Sequence, residues 1–316
     1  MQGIVDTRRR NVRQRQHPPA GRSARRKAGD GPMGPSLHFR RVVAMFLCAA
    51  LLAPPATASA IELKKDTLEA FERYVRIREA QIDEELRREN PFLWIDSLPE
   101  ERQREAHEHL KRGEVFIERR KILDNGKEIE CPDGLIHHWM GTVFIPGATL
   151  ERAIAFVQDY DHHATNYAPD VLISKTLERN GNDFKIHMRF LKKKVITMVV
   201  DTWQDVRYVP LSATRLYSRA ITTRVQEVEN AGKPDERLKP PGTGGGFMWH
   251  LYTYWRFEER DGGVYIQCEA VSLTRGIPFL LAWLKPFITG VPKESLMFTL
   301  GTTRAKLMKQ STAQQK

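Results

Sequence analysis

The stretch 254–278 reads YWRFEERDGGVYIQCEAVSLTRGIP. Apolar and aromatic residues alternate with polar ones on both sides of Arg260-Asp261-Gly262-Gly263. Period-two alternation about an Asp-Gly turn predicts a β-hairpin, 247–259 against 264–274. On the first strand Trp249, Leu251, Thr253, Trp255 and Phe257 occupy alternate positions, so they share a face. That face is too apolar for water and belongs to a core or to the wall of an internal site.

Toward the C-terminus an apolar run, 277–289, leads through Gly290 to a helix with Pro292 in its first turn. Leu296, Leu300, Thr303 and Leu307 form one stripe of that helix. Toward the N-terminus strands are expected at 211–228, 195–206, 184–194 and 171–179, and the loop 229–246 is rich in Gly, Pro and charge. Further upstream come two short helices, one capped by Thr149 and one within 162–168, then a strand at 134–145 and another at 114–123. Two amphipathic helices, 66–90 and 99–112, precede the strands. Their apolar faces must pack on the body of the protein or on a partner chain.

One strand, two short helices, a run of about six antiparallel strands and a long terminal helix is an order that resembles the START / polyketide-cyclase / Bet v 1-like (SRPBCC) superfamily, the helix-grip fold. The resemblance covers 134–309, and 254–278 is its most distinctive local match. It implies an α+β fold, a curved antiparallel sheet wrapped around a long C-terminal helix, with an N-terminal helical arm. The corresponding division is a leader at 1–60, the arm at 61–113, a ligand-binding domain at 114–309 and a disordered tail at 310–316. A strongly curved sheet cannot pack flush on a straight rod, so a mostly apolar cavity is expected between them. The partner implied is a hydrophobic small molecule or lipid, held without a cofactor and exchanged through transient membrane contact. Two other functions stay open: a cyclase/aromatase- or hydratase-type enzyme in which Tyr217, Arg219, His162 or Asp161 moves protons, and an interaction module that docks a partner through the arm.

The candidate ligand-binding residues are Tyr160, His162, Arg215, Tyr217, Arg219, Trp249, Trp255, Glu269 and Trp283. Arg215, Tyr217 and Arg219 alternate along one strand, and the resemblance implies an inward Arg and Glu269 paired on neighbouring strands within the cavity. A buried lone charge is costly, so an inward Arg needs a carboxylate or an anionic ligand. Phe279, Leu280, Trp283, Phe287 and Ile288 form a lid, a membrane-touching patch or plain core. No catalytic or metal site is assigned. His137 and His138 are adjacent on a strand and point apart, and no HExxH or CxxC spacing occurs. Asp161, His162 and His163 lie between the short helices, where the resembling fold has one end of its cavity. GxSxG, P-loop and Rossmann fingerprints are lacking too.

The chain of 316 residues has a formal charge of +11. Residues 1–60 hold eleven Lys/Arg against two Asp, which leaves the remainder at +2 and gives no electrostatic reason to expect nucleic acid. A basic region ending in Arg40-Arg41, an apolar run at 42–53 and Ala58-Ser59-Ala60 read as a secretory signal peptide cleaved near Ala60, with Met33 as the expected true start. The run is shorter than the roughly 20 residues that span a bilayer. A secreted or periplasmic destination follows, in which Cys131 and Cys268 either pair or stay free.

Overall fold

The computed structural model describes residues 61–88, 90–194, 197–277 and 285–314, apart from the side chains of 285–288 and 311–314. The leader with its Ala60 site, and Phe279, Leu280 and Trp283 of the apolar patch, lie outside the described residues. Chain contacts place the described residues in one unit, Ser59–Lys316.

The hairpin is present: β10 (His250–Arg260) pairs with β11 (Gly263–Arg275), and Arg260 faces Gly263 in register. Asp261 and Gly262 between them have φ of 56° and 71°, the left-handed pair that matches the twist of the flanking strands. The remaining long strands are β4 (Gly134–Pro146), β5 (Val171–Asn180), β6 (Asp183–Lys193), β7 (Thr197–Pro210) and β8 (Arg215–Glu229). With the short β1 (Phe116–Arg119) they form one curved antiparallel sheet in the order β1-β4-β11-β10-β8-β7-β6-β5. The expected strand at 114–123 is divided, its end becoming β2 (Leu123–Asp124) in a small hairpin with β3 (Lys127–Glu128).

Three helical pieces close the inner side of the sheet. They are α3 (Leu150–Gln158), α4 (His163–Asn166) and the terminal α5 (Lys285–Gln314). Thr149 caps α3 by accepting from the Arg152 amide. Leu296, Leu300 and Leu307 sit in the inner core as their spacing predicts. Helix α5 corrects two expectations. It begins at Lys285, so Pro292 lies in its interior, and it continues to Gln314 rather than yielding to a tail at 310. A proline tolerated inside a helix at the loss of one hydrogen bond has the same neighbours in sequence as a proline at its start.

Helix α5 seats on β4 at Gly141. A Cβ there would stand 2.8 Å from Leu300 Cδ1 and 3.6 Å from Leu296 Cδ2. Replacing Gly141 by Val should therefore overpack the seat and cost about 1–3 kcal/mol, read as a lowered urea midpoint at unchanged slope.

The N-terminal arm is α1 (Lys65–Arg88) and α2 (Glu100–Lys111). It packs on the outer face of the same sheet, so of the two destinations its amphipathicity left open it takes the body of the protein. Phe71, Tyr74, Val75 and Ile82 of α1 meet Tyr217, Trp249, Tyr254, Val271 and Leu273. Leu93, Trp94, Ile95 and Leu110 meet Phe116, Met140 and Tyr265. The loop 229–246 contains a short strand, β9 (Arg237–Leu238), paired with β8, and the buried carboxylate of Glu227 accepts from the amides of Gly245 and Phe247. Among the described residues no helix is long and apolar enough to cross a membrane.

Candidate functional site

The sheet presents small side chains where it faces the middle of α5. Ser218 and Ala220 on β8, and Cys268, Ala270 and Ser272 on β11, all point inward. Larger residues surround them: Trp255 and Phe257 on β10, Ile186 and Met188 on β6, Val206 on β7, and Leu296 and Phe298 on α5. Bulk is missing at the centre, and a cavity of about 260 Å³ results. Close-packed interiors seldom leave a void of this size without a function.

The end near the short helices is aromatic and neutral. Tyr160 OH and Tyr208 OH lie 2.6 Å apart, Tyr208 also bonds Ser218, and Tyr167 OH lies 2.8 Å from Thr303 Oγ1. Burial pushes the Tyr167 phenol up to about 12, and it pushes Tyr160 and Tyr208 up as well, so all three stay protonated. Burial pushes His163 down to about 4, against the opposing pull of the Phe156 and Val157 carbonyls, so at neutral pH the imidazole is uncharged. The charged lining residues among those described are Asp170 and Lys192, and they are bonded to each other. The interior thus solvates no free charge and favours a neutral, apolar occupant.

The candidate residues divide between two layers. Tyr160 and Trp255 line the cavity. Arg215, Tyr217, Arg219 and Glu269 lie on the opposite face of the sheet, because Ser218, Ala220, Cys268 and Ala270 take the inward positions. There Arg215 bonds Glu258 and Asn90, Arg219 pairs with Glu79 of α1 at 2.6 Å, and Tyr217 sits in the apolar cluster beneath α1. Glu269 has its arginine, but from the helix: Arg78 Nε and a terminal nitrogen donate to its two oxygens at 2.5 and 2.9 Å. The expectation of an Arg–Glu pair inside the cavity is corrected accordingly. Trp249 precedes β10 and belongs to the outer cluster, so the alternation inferred for it begins only at Leu251. His162 is exposed and bonded to Asp159, while Asp161 accepts from the Thr176 amide. Its neighbour His163 is the histidine in the cavity wall.

Outside the cavity a buried polar chain joins α1 to the sheet. Tyr74 OH lies 2.8 Å from His138 Nδ1, and His138 Nε2 lies 2.7 Å from Glu269 Oε1. Arg78 also reaches Glu85, which Arg256 holds from β10. In the sequence, a charged Arg78 on the apolar stripe of Phe71, Val75 and Ile82 is the signal for this layer. Cys131 and Cys268 are both free thiols.

No family model matches the sequence, and no curated protein does. Solved structures do resemble the chain. A STAR-related lipid transfer protein from Xanthomonas axonopodis is 13% identical with a TM-score of 0.40, over 60% of this chain and 98% of that one. The Zhui aromatase/cyclase from Streptomyces sp. R1128 is 12% identical with a TM-score of 0.39, over 55% and 94%. Human STARD10 is 10% identical with a TM-score of 0.39, over 69% and 85%. At this level of likeness the helix-grip architecture stands on the chain's own strand order and terminal helix.

Proposed function

We propose that the protein binds a hydrophobic small molecule between the sheet and α5, and that it sequesters or carries that molecule. The supporting observation is the cavity of about 260 Å³, whose charged lining residues among those described neutralise each other. Size narrows the class. An apolar cavity of about 150 Å³ accepts benzene, so this one accepts a molecule of roughly ten to fifteen non-hydrogen atoms. A bicyclic aromatic, a short isoprenoid or a small polyketide-like ring system suits it, whereas a lipid with two long acyl chains exceeds it several-fold. Burying roughly 250 Å² of such a molecule at about 25 cal/mol per Å² supplies about 6 kcal/mol before association costs, which points to modest affinity.

The test is a titration with 2-methylnaphthalene followed by tryptophan fluorescence and thermal melting. Saturable change is expected, with a rise in Tm of about 3–6 °C at tenfold excess over Kd. No saturable change and no shift in Tm would contradict the reading. The catalytic alternative finds less support, because Tyr217, Arg219, Asp161 and His162 are not among the cavity-lining residues.

The reading extends to location and exchange. The leader directs export and is removed after Ala60, and the occupant enters and leaves through transient contact with a membrane. What supports the first is the basic stretch, the apolar run and Ala58-Ser59-Ala60. N-terminal sequencing of protein recovered from outside the cytoplasm should begin at Ile61, whereas an intact leader on protein retained inside the cell would refute export.

A further inference from the structure

His163 opens α4 and is 6% exposed. Its ring lies between two tyrosines of the cavity wall, with centroids 4.9 Å from Tyr160 and 5.0 Å from Tyr167. A neutral imidazole offers one donor and one acceptor. The ring bonds the backbone carbonyls of Phe156 and Val157 in the last turn of α3, and because Nε2 takes no part the donor is Nδ1. The acceptor, Nε2, has no hydrogen-bond partner and is shielded from solvent. The neighbouring hydroxyls do not reach it: Tyr160 is bonded to Tyr208, and Tyr167 to Thr303. A buried acceptor without a donor is unusual enough to require a reason.

We propose that the occupant of the cavity carries a hydroxyl group that donates to Nε2 of His163, which makes it a neutral, largely apolar alcohol or phenol. This rests on the reading that the cavity binds a small hydrophobic molecule, and it adds the one polar group that molecule presents. The geometry selects against a carboxylate, which brings only acceptors to a site that already lacks a donor, and whose charge would find Lys192 already bonded to Asp170. A plain hydrocarbon would fill the volume and leave Nε2 unpaired.

The experiment compares 2-naphthol with 2-methylnaphthalene, which differ by a hydroxyl in place of a methyl. Both are titrated into the wild type and into His163→Leu. The ratio of the two affinities is the readout, because differences in transfer from water cancel between the proteins. The wild type should favour 2-naphthol about tenfold more than the variant does, with 2-methylnaphthalene binding both about equally. An unchanged ratio, with both probes bound, would overturn the hydroxyl assignment and leave the cavity reading standing. Failure of both probes to bind the wild type would remove the cavity reading and this inference with it. A second measurement needs no variant: the ¹⁵N resonance of Nε2 in the wild type should move upfield with 2-naphthol and stay in place with 2-methylnaphthalene. A resonance already at the hydrogen-bonded position in the empty protein would show that water satisfies Nε2, and would overturn the proposal.

Discussion

Arg78→Met should destabilise the protein by about 3–5 kcal/mol, the cost of leaving a buried charge without its partner. Arg78 and Glu269 are 5% and 1% exposed, and the arginine donates to both carboxylate oxygens. The double variant Arg78→Met with Glu269→Gln should regain much of that loss, because the glutamine oxygen still accepts from His138 and no charge remains stranded. Urea midpoints of the wild type, both single variants and the double variant make the measurement. Purely additive losses would show that the two residues do not act as a pair.

The same layer gives stability a sign with pH. Burial acts to raise the Glu269 carboxyl, but the His138 and Arg78 bonds outweigh it and hold the group at about 2. Its folded value is depressed, so its contribution is present above the unfolded value near 4.5 and is lost as pH falls toward 2, about 3 kcal/mol in all. The buried histidines act earlier. Burial lowers His137 and His163 to about 4 and lowers His138 too, so below about pH 6.5 the unfolded chain takes up protons that the folded chain refuses. Stability should therefore decline from about pH 6.5 downward and steepen below about 4.5. A midpoint that stays level between pH 7 and pH 4 would contradict the burial of these groups.

The second large effect concerns ligand retention. Ala270 faces the cavity from β11, between Cys268 and Ser272. Ala270→Phe adds a ring to a hollow of about 260 Å³ and should weaken binding of 2-methylnaphthalene at least a hundredfold, by removing the space it occupies. Filling a void does not by itself harm packing, so the urea midpoint should hold or rise. Loss of binding together with loss of fold would mean that the site has no spare room. Unchanged binding would place the probe elsewhere.

The fold was largely legible because its main signals are local. Alternation about Asp261-Gly262 defines the hairpin, the spacing of Leu296, Leu300 and Leu307 defines the terminal helix, and Thr149 marks the start of α3. The site was legible in part, because which face of a strand looks inward is decided by what covers it. The outer face of this sheet is almost as apolar as the inner one, since α1 buries it, so Tyr217 and Trp249 looked like cavity residues while they belong beneath the helix. Small residues were the better guide. Ser218 and Ala220 alternate on one strand, and Cys268, Ala270 and Ser272 on another; a run of small side chains on one face marks the place where a core stays hollow. Glu269 was expected to pair with an arginine on a neighbouring strand inside the cavity, but its partner is Arg78, 191 residues away on the arm, a distance that no strand pattern reveals. His163 lies one residue from His162, and only the turn from the short 3₁₀ segment Tyr160–His162 into α4 decides which of the two is buried.

Native mass spectrometry of the protein, followed by organic extraction and identification of what is released, tests the hollow between sheet and helix most directly. A bound neutral species of roughly ten to fifteen non-hydrogen atoms is expected, retained by the wild type and missing from Ala270→Phe. A wild-type protein that carries nothing and takes up neither 2-naphthol nor 2-methylnaphthalene would contradict it.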